Sequence, residues 1–185
     1  MKLEVLEKEH YYHIYNRGIN SCKIFKNKDN NNYFIKLFIK HLIPYVTVYA
    51  YCLLSNHFHF VIRVDTEPEI ASQKFSNFFN AYVKAFNNAH NRTGALFERP
   101  FKRIRLDSEH YLRNLIVYVN TNPVKHDVLY NFEDYPFSSY QQTLIKESQI
   151  IEYNEVLDLF DDIGNFKYVH HAKKIVLDNK LLFEY

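Results

Sequence analysis

The chain has 185 residues, of which 47% are hydrophobic and 24% are charged, with three glycines and five prolines. This composition can bury a full core, which excludes disordered, collagen-like and linker-like proteins, and the length predicts a single domain. The two cysteines, Cys22 and Cys52, lie far apart without a CxxC pair, which excludes a disulfide framework and a zinc ribbon.

The longest apolar run, residues 45–54, is shorter than the roughly 18 residues that cross a bilayer, and residues 1–10 lack the apolar core of a signal peptide. We therefore expect a cytoplasmic protein with no membrane partner. The net charge is only +2, but it is unevenly distributed. Residues 84–105 contain six basic residues and one acidic residue, which predicts a phosphate-binding surface. Residues 146–162 contain six acidic residues and one basic residue, so the tail is acidic.

Hydrophobic periodicity and turn residues divide residues 11–122 into seven elements in the order β-α-β-β-α-β-α. The predicted ranges are 11–16, 29–43, 46–54, 58–64, 69–91, 96–106 and 108–122. Ser55 and Asn56 form the turn of a hairpin, and Pro123 is expected to end the last helix near Asn122. This order predicts an α+β fold, a ferredoxin-like antiparallel sheet flanked by helices.

We predict one domain over residues 1–141, with residues 142–185 as a helical C-terminal extension of the same domain. Short helices are expected near residues 138–145, 153–160 and 168–178. Two arrangements of the acidic tail are open. Its helices can pack an apolar face and expose the acids to water, or the tail can fold back over the basic strand and compete with phosphate.

Two histidines begin the second strand of the predicted hairpin, in the sequence His57-Phe58-His59. Residues two apart on a strand point to the same side, so both imidazoles can hold one metal ion. The chain contains ten histidines, however, so such a pair also arises by chance. Two strand histidines that are hydrogen-bonded within the sheet are the alternative.

The last predicted helix places Tyr118 on a second face, away from its apolar residues and together with Tyr111, Asn114 and Asn122. Asn122 follows Tyr118 by one turn, so its amide oxygen can approach an ion beside the phenol. The alternative is a polar helix face that is exposed to water.

Five segments resemble the single-tyrosine HUH transposases in order and spacing, and most closely their REP-associated branch. They are HIYNRG (residues 13–18), AYCLLSNHFHFVIRV (50–64), GALFERPFKRIRL (94–106), YVNTNPV (118–124) and DYPFSSY (134–140). The resemblance covers about residues 10–141. It implies a ferredoxin-like sheet flanked by helices, which agrees with the order of elements, and it favours the functional interpretation of both motifs above.

Residue by residue, the resemblance implies that His57 and His59 are metal ligands, that Tyr118 is the nucleophile and that Asn122 is a third ligand. His13 also resembles a family position, but we expect a core histidine there. The implied cofactor is a divalent metal ion, Mg²⁺ in cells with Mn²⁺ as a substitute. The enzyme would cleave DNA through a 5′-phosphotyrosine and rejoin it without ATP.

The implied partner is single-stranded DNA with hairpin ends, bound by a monomer or a homodimer. We expect Arg103 and Arg105, neighbours on one side of the basic strand, to contact successive phosphates, together with Lys102, Arg99 and Arg17. A charged edge strand that faces water is the alternative. For the whole protein, the alternatives to the transposase are a domesticated regulator that binds a DNA or RNA hairpin without strand transfer, and a hydrolytic phosphodiesterase.

Overall fold

The computed structural model describes residues 4–172 and contains one four-stranded sheet in this part of the chain. The strands are β1 (Tyr11–Arg17), β2 (Val46–Leu54), β3 (His57–Val64) and β4 (Lys102–Arg105). The helices are α1 (Lys28–His41), α2 (Pro68–Ala89), α3 (Glu109–Lys125), α4 (Tyr140–Ile145), α5 (Tyr153–Leu159) and α6 (Ile163–Ala172). All strand pairs are antiparallel, in the order β2-β3-β1-β4. The predicted ferredoxin-like sheet flanked by helices is therefore confirmed.

The alternation of side chains along β3 separates the two faces of the sheet. Phe58 and Phe60 point toward α1 and α2, and the ring of Phe60 stacks on that of Phe38 with centroids 4.2 Å apart. His57 and His59 point to the opposite face, where α3 lies. An aromatic core thus fills the space between the sheet and the helix pair, and the two histidines lie beneath α3.

Helix α3 continues past Pro123, so the prediction that it ends near Asn122 is wrong. A proline in a helix removes one backbone hydrogen bond and is usually disruptive. Here residues 115–123 are all buried, and this packing holds the turn in helical form. The N–H of His126 donates to the Asn122 carbonyl, and the helix ends at Lys125.

Strand β4 is shorter than the predicted strand over residues 96–106. Phe97 forms an isolated bridge with Gly18, and the N–H of Glu98 donates to the Arg17 carbonyl at 2.9 Å. The next residues, 99–101, are not paired with β1, and Pro100 among them has no N–H to donate. The predicted alternation is correct, since Arg105 pairs with Tyr12 and lies on the same face of the sheet as Arg103.

The described part of the tail packs at the β2 edge of the sheet, opposite β4. Arg63 of β3 forms an ion pair with Glu155 of α5, with 3.0 Å between Nη1 and Oε2. Val156, Leu157 and Phe160 are buried. Within residues 4–172 the tail therefore packs an apolar face, and the arrangement in which it covers the basic strand is wrong. Residues 173–178 of the last predicted helix lie outside the described residues.

A buried chain of hydrogen bonds joins α6 to α3 and the sheet. Asn120 Nδ2 donates to His170 Nε2 at 3.0 Å, and Asn120 Oδ1 accepts from Ser139 Oγ at 2.6 Å. Ser139 Oγ in turn accepts from the N–H of Tyr51. His170 Nδ1 donates to the Phe166 carbonyl at 2.7 Å. Burial lowers the pKa of His170 to about 4, so this imidazole is neutral at neutral pH.

No helix in residues 4–172 combines the length and apolar character needed to span a membrane.

Candidate active site

His57 and His59 face the same region beneath α3, with ring centroids 5.0 Å apart and planes nearly perpendicular. His57 Nδ1 lies 2.7 Å from Asn56 Oδ1. Because a carbonyl oxygen can only accept, Nδ1 carries the proton and Nε2 carries the lone pair. His59 Nδ1 lies 3.0 Å from Nε2 of His13. The Nε2 atom of His57 therefore remains available to a metal ion. The same holds for Nε2 of His59 when Nδ1 of His59 donates to His13.

His13 is fully buried, as expected of a core histidine, and it contacts a predicted metal ligand. A hydrogen bond to the nitrogen that does not bind the metal fixes the tautomer and the orientation of a ligating imidazole. His13 and Asn56 are therefore placed to hold the two candidate ligands in position.

The two histidines are held in the form that binds metals. Burial lowers the pKa of His57 to about 2 and that of His59 to about 3. These lowered pKa values include a smaller contribution from neighbouring groups, His126 in both cases. At neutral pH both imidazoles are neutral, so a metal does not have to displace a proton from either.

Tyr118, Asn122 and His126 follow one another at intervals of four residues and lie on one side of α3. The ring centroid of Tyr118 is 6.1 Å from that of His59, and the ring centroid of His126 is 4.6 Å from that of His57. The spacing of four residues places Asn122 between Tyr118 and His126, on the side of α3 that carries these two contacts. The structure therefore brings His57, His59 and Tyr118 together, and the role of Asn122 beside them stays a prediction.

Asn122 is fully buried, and neither its Oδ1 nor its Nδ2 has a hydrogen-bond partner within residues 4–172. Such a group is rare, because an unsatisfied buried polar group costs about 1–3 kcal/mol. A cation at Oδ1 would satisfy one of the two atoms. The residues present thus fit the divalent ion that the resemblance implies.

The candidate donor set is the two imidazoles of His57 and His59 and the amide oxygen of Asn122. No three His, Cys, Asp or Glu side chains come together as a metal site in the described part of the chain, so the amide is needed to complete a set of three ligands. Imidazole nitrogen favours Mn²⁺ over Mg²⁺, while the amide oxygen suits both ions.

Tyr118 is only 8% exposed, so the alternative of a water-exposed helix face is wrong. The Nζ atom of Lys125 lies 3.9 Å from the centroid of the Tyr118 ring. Neither Lys125 nor His126 was predicted as a site residue, because Pro123 was expected to end the helix before them. The four-residue spacing of Tyr118, Asn122 and His126 was the available signal for His126.

A cavity of about 340 Å³ opens beside the two histidines. Its lining includes His126 and three charged residues, Arg17, Glu98 and Lys102. Arg17 Nε lies 2.5 Å from Glu98 Oε1, so its charge is already compensated. Lys102 forms no ion pair in the described part of the chain and is the cation best placed to receive a phosphate there.

The predicted DNA-binding cations do not all lie on the same side of the sheet. Arg103 and Arg105 lie on the face opposite the histidines, because β4 pairs them with Ile14 and Tyr12. The guanidinium of Arg103 lies 4.4 Å from the Phe101 ring centroid. Arg105 forms an ion pair with Glu7 at 2.6 Å and Arg99 forms none within residues 4–172. Their part in DNA binding stays a prediction.

The chain matches no family model and no curated protein. It is similar to a solved structure, that of a REP-associated tyrosine transposase bound to a REP hairpin, with a TM-score of 0.62 and 17% sequence identity. The likeness covers 79% of this chain and 86% of that chain. The protein therefore has the fold of that tyrosine transposase.

Proposed function

We propose that this protein is a metal-dependent transposase that nicks and rejoins single-stranded DNA beside a hairpin. The observation that carries the proposal is the contact of Tyr118 with His59 beside His57, with the unsatisfied buried amide of Asn122 one turn further along α3. The fold supports it, because the similar transposase was solved with a hairpin bound.

In this proposal His57, His59 and Asn122 hold a divalent ion, Mg²⁺ with Mn²⁺ as a substitute. When bound, such an ion supplies Lewis-acid polarisation of a phosphate oxygen. The histidines bring no positive charge of their own because burial keeps them neutral. Lys102, at the cavity wall, places a positive charge where the DNA phosphate would enter.

Tyr118 is the proposed nucleophile. Its phenol oxygen attacks the phosphorus as its proton leaves, the bond between phosphorus and the 3′ oxygen breaks, and that oxygen takes up a proton. The ammonium of Lys125 over the ring stabilises the negative charge that develops on the phenol oxygen. A 3′-hydroxyl can reverse the step, because the phosphotyrosine bond retains the energy of the phosphodiester.

The test uses single-stranded DNA that is labelled, carries a hairpin and is incubated with the full chain and Mn²⁺. We expect a protein–DNA band that resists denaturant and that is lost in EDTA. The variant Tyr118→Phe should bind the hairpin but form no such band. Tyr130→Phe is the matched control, because Tyr130 is fully exposed and does not line the cavity, and it should form the band normally.

The alternatives give different results in the same experiment. Hairpin binding without cleavage by the wild-type chain would indicate a regulator that binds without strand transfer. Cleavage without a covalent band would indicate a hydrolytic phosphodiesterase. A normal band with Tyr118→Phe would refute Tyr118 as the nucleophile.

A further inference from the structure

A second cavity, of about 520 Å³, lies between α2 and residues 96–101. Small-molecule sites in proteins usually measure about 300–1,000 Å³. The cavity shares Asn16 and Glu98 with the active-site cavity. Asn16 Nδ2 donates to the Glu98 carbonyl at 3.1 Å, so these two residues form a ridge with one cavity on each side.

The wall of the second cavity is aromatic. The ring centroid of Phe79 lies 5.2 Å from that of Phe101 and 5.5 Å from that of Phe97. Phe79 and Phe101 are only partly buried, so part of each ring surface remains open. A planar ligand with an aromatic face can stack on such a wall.

Polar groups surround the opening. Ser76 and Asn80 are exposed and lie one turn apart on α2, where their side chains can bond to the edge of a ligand. Arg99 lines the same cavity and forms no ion pair in the described part of the chain. The cavity thus combines an apolar wall with hydrogen-bonding groups and an available cation, which is the chemistry of a nucleotide that is not base-paired.

We propose that this second cavity binds the unpaired base of the nucleotide next to the cleaved phosphate, with Arg99 at the phosphate of that nucleotide. The proposal rests on the proposed function. A DNA strand whose scissile phosphate lies at the histidines must pass the ridge of Asn16 and Glu98 to continue toward α2. The first space that it meets there is the aromatic cavity.

The first experiment measures base stacking without cleavage. Hairpin oligonucleotides carry the fluorescent base 2-aminopurine at a single position, either on the 5′ side or on the 3′ side of the cleavage site. Each is bound to the full-length Tyr118→Phe variant. We expect the 2-aminopurine fluorescence to be quenched at one of the two positions. Adding Asn80→Trp, which fills the cavity opening, should abolish this quenching and weaken binding by about 5- to 150-fold, the value of one base stacked on an aromatic ring.

Asn77→Trp is the matched control, because Asn77 is an exposed residue of the same type on α2 that does not line the cavity. It should leave quenching and affinity unchanged. Thermal unfolding checks that each variant is folded, and Ser76→Trp replaces Asn80→Trp if the latter is not. Equal quenching of 2-aminopurine in Asn80→Trp and in Asn77→Trp would overturn the proposal.

The second experiment separates this proposal from the proposed function. Removing the base at the quenched position should slow covalent attachment by wild-type protein, and should have no further effect on Asn80→Trp. Equal effects of an abasic site at every flanking position would overturn the base site. Absence of any covalent band with wild-type protein, together with position-specific quenching, would refute the proposed chemistry and leave the base site standing.

Discussion

Replacing Asn122 with leucine should stabilise the metal-free protein and remove its response to metal. The amide of Asn122 is fully buried and has no hydrogen-bond partner within residues 4–172. Leucine has nearly the same shape without polar atoms, so the cost of an unsatisfied buried group, about 1–3 kcal/mol, is removed. We expect the free energy of unfolding to rise by about that amount. The melting temperature should rise by about 2–4 °C per kcal/mol.

Asn120→Leu is the matched control, and the expected change has the opposite sign. Asn120 is equally buried on the same helix, but its amide bonds to both His170 and Ser139. Leucine there leaves two buried groups unsatisfied, each at a cost of about 1–3 kcal/mol. The same substitution two residues apart should therefore stabilise the protein in one case and destabilise it in the other.

The assay is urea unfolding in EDTA and then in Mn²⁺. A ligand that binds only the folded state at 100 times its dissociation constant adds about 2.7 kcal/mol. Wild-type protein should show such a gain and Asn122→Leu should show none. The reasoning is refuted if Asn122→Leu is less stable than wild type in EDTA, or if it keeps the full gain with Mn²⁺.

Three further predictions concern other parts of the molecule. Because burial lowers the pKa of His170 to about 4, the unfolded chain binds a proton more readily than the folded one. The free energy of unfolding should therefore fall by up to about 3 kcal/mol as the pH drops from about 6.5 to 4. If urea unfolding of His170→Gln shows the same dependence on pH as that of the wild-type protein, this prediction is contradicted. Lys102→Ala should reduce the salt dependence of single-strand binding by about 0.7 log units per lost phosphate contact; an unchanged slope in a salt titration would show that Lys102 does not contact a phosphate. Gly18→Ala places a Cβ atom 2.1 Å from the Cys22 carbonyl oxygen, so the turn must shift and urea unfolding should show a loss of about 1–3 kcal/mol; wild-type stability would mean that the turn adapts.

The sheet and the histidine pair were predictable because both follow from local rules. Alternation in β3 puts His57 and His59 on one side, and the turn at Ser55 and Asn56 fixes the hairpin register. The spacing of Tyr118 and Asn122 likewise fixes their common helix face. These features depend only on residues that are close together in the sequence.

Features that depend on distant parts of the chain were not predictable in the same way. The sequence shows that Arg103 and Arg105 share a side of their strand, but not which face of the sheet that side joins. That choice is set by the pairing of β4 with β1. The continuation of α3 through Pro123 similarly depends on burial by surrounding elements, which local propensity does not describe.

The position of Asn122 and Tyr118 on a single helix has a consequence for reaction order. In the proposed mechanism both side chains and the histidine pair come from one chain, so the first nick should be first order in protein and independent of dimer formation. One tyrosine can hold one 5′ end at a time. Joining two different DNA ends therefore requires either two protein molecules that meet or two rounds of attack at the same residue. A plot of the nicking rate and the joining rate against protein concentration would tell these two routes apart.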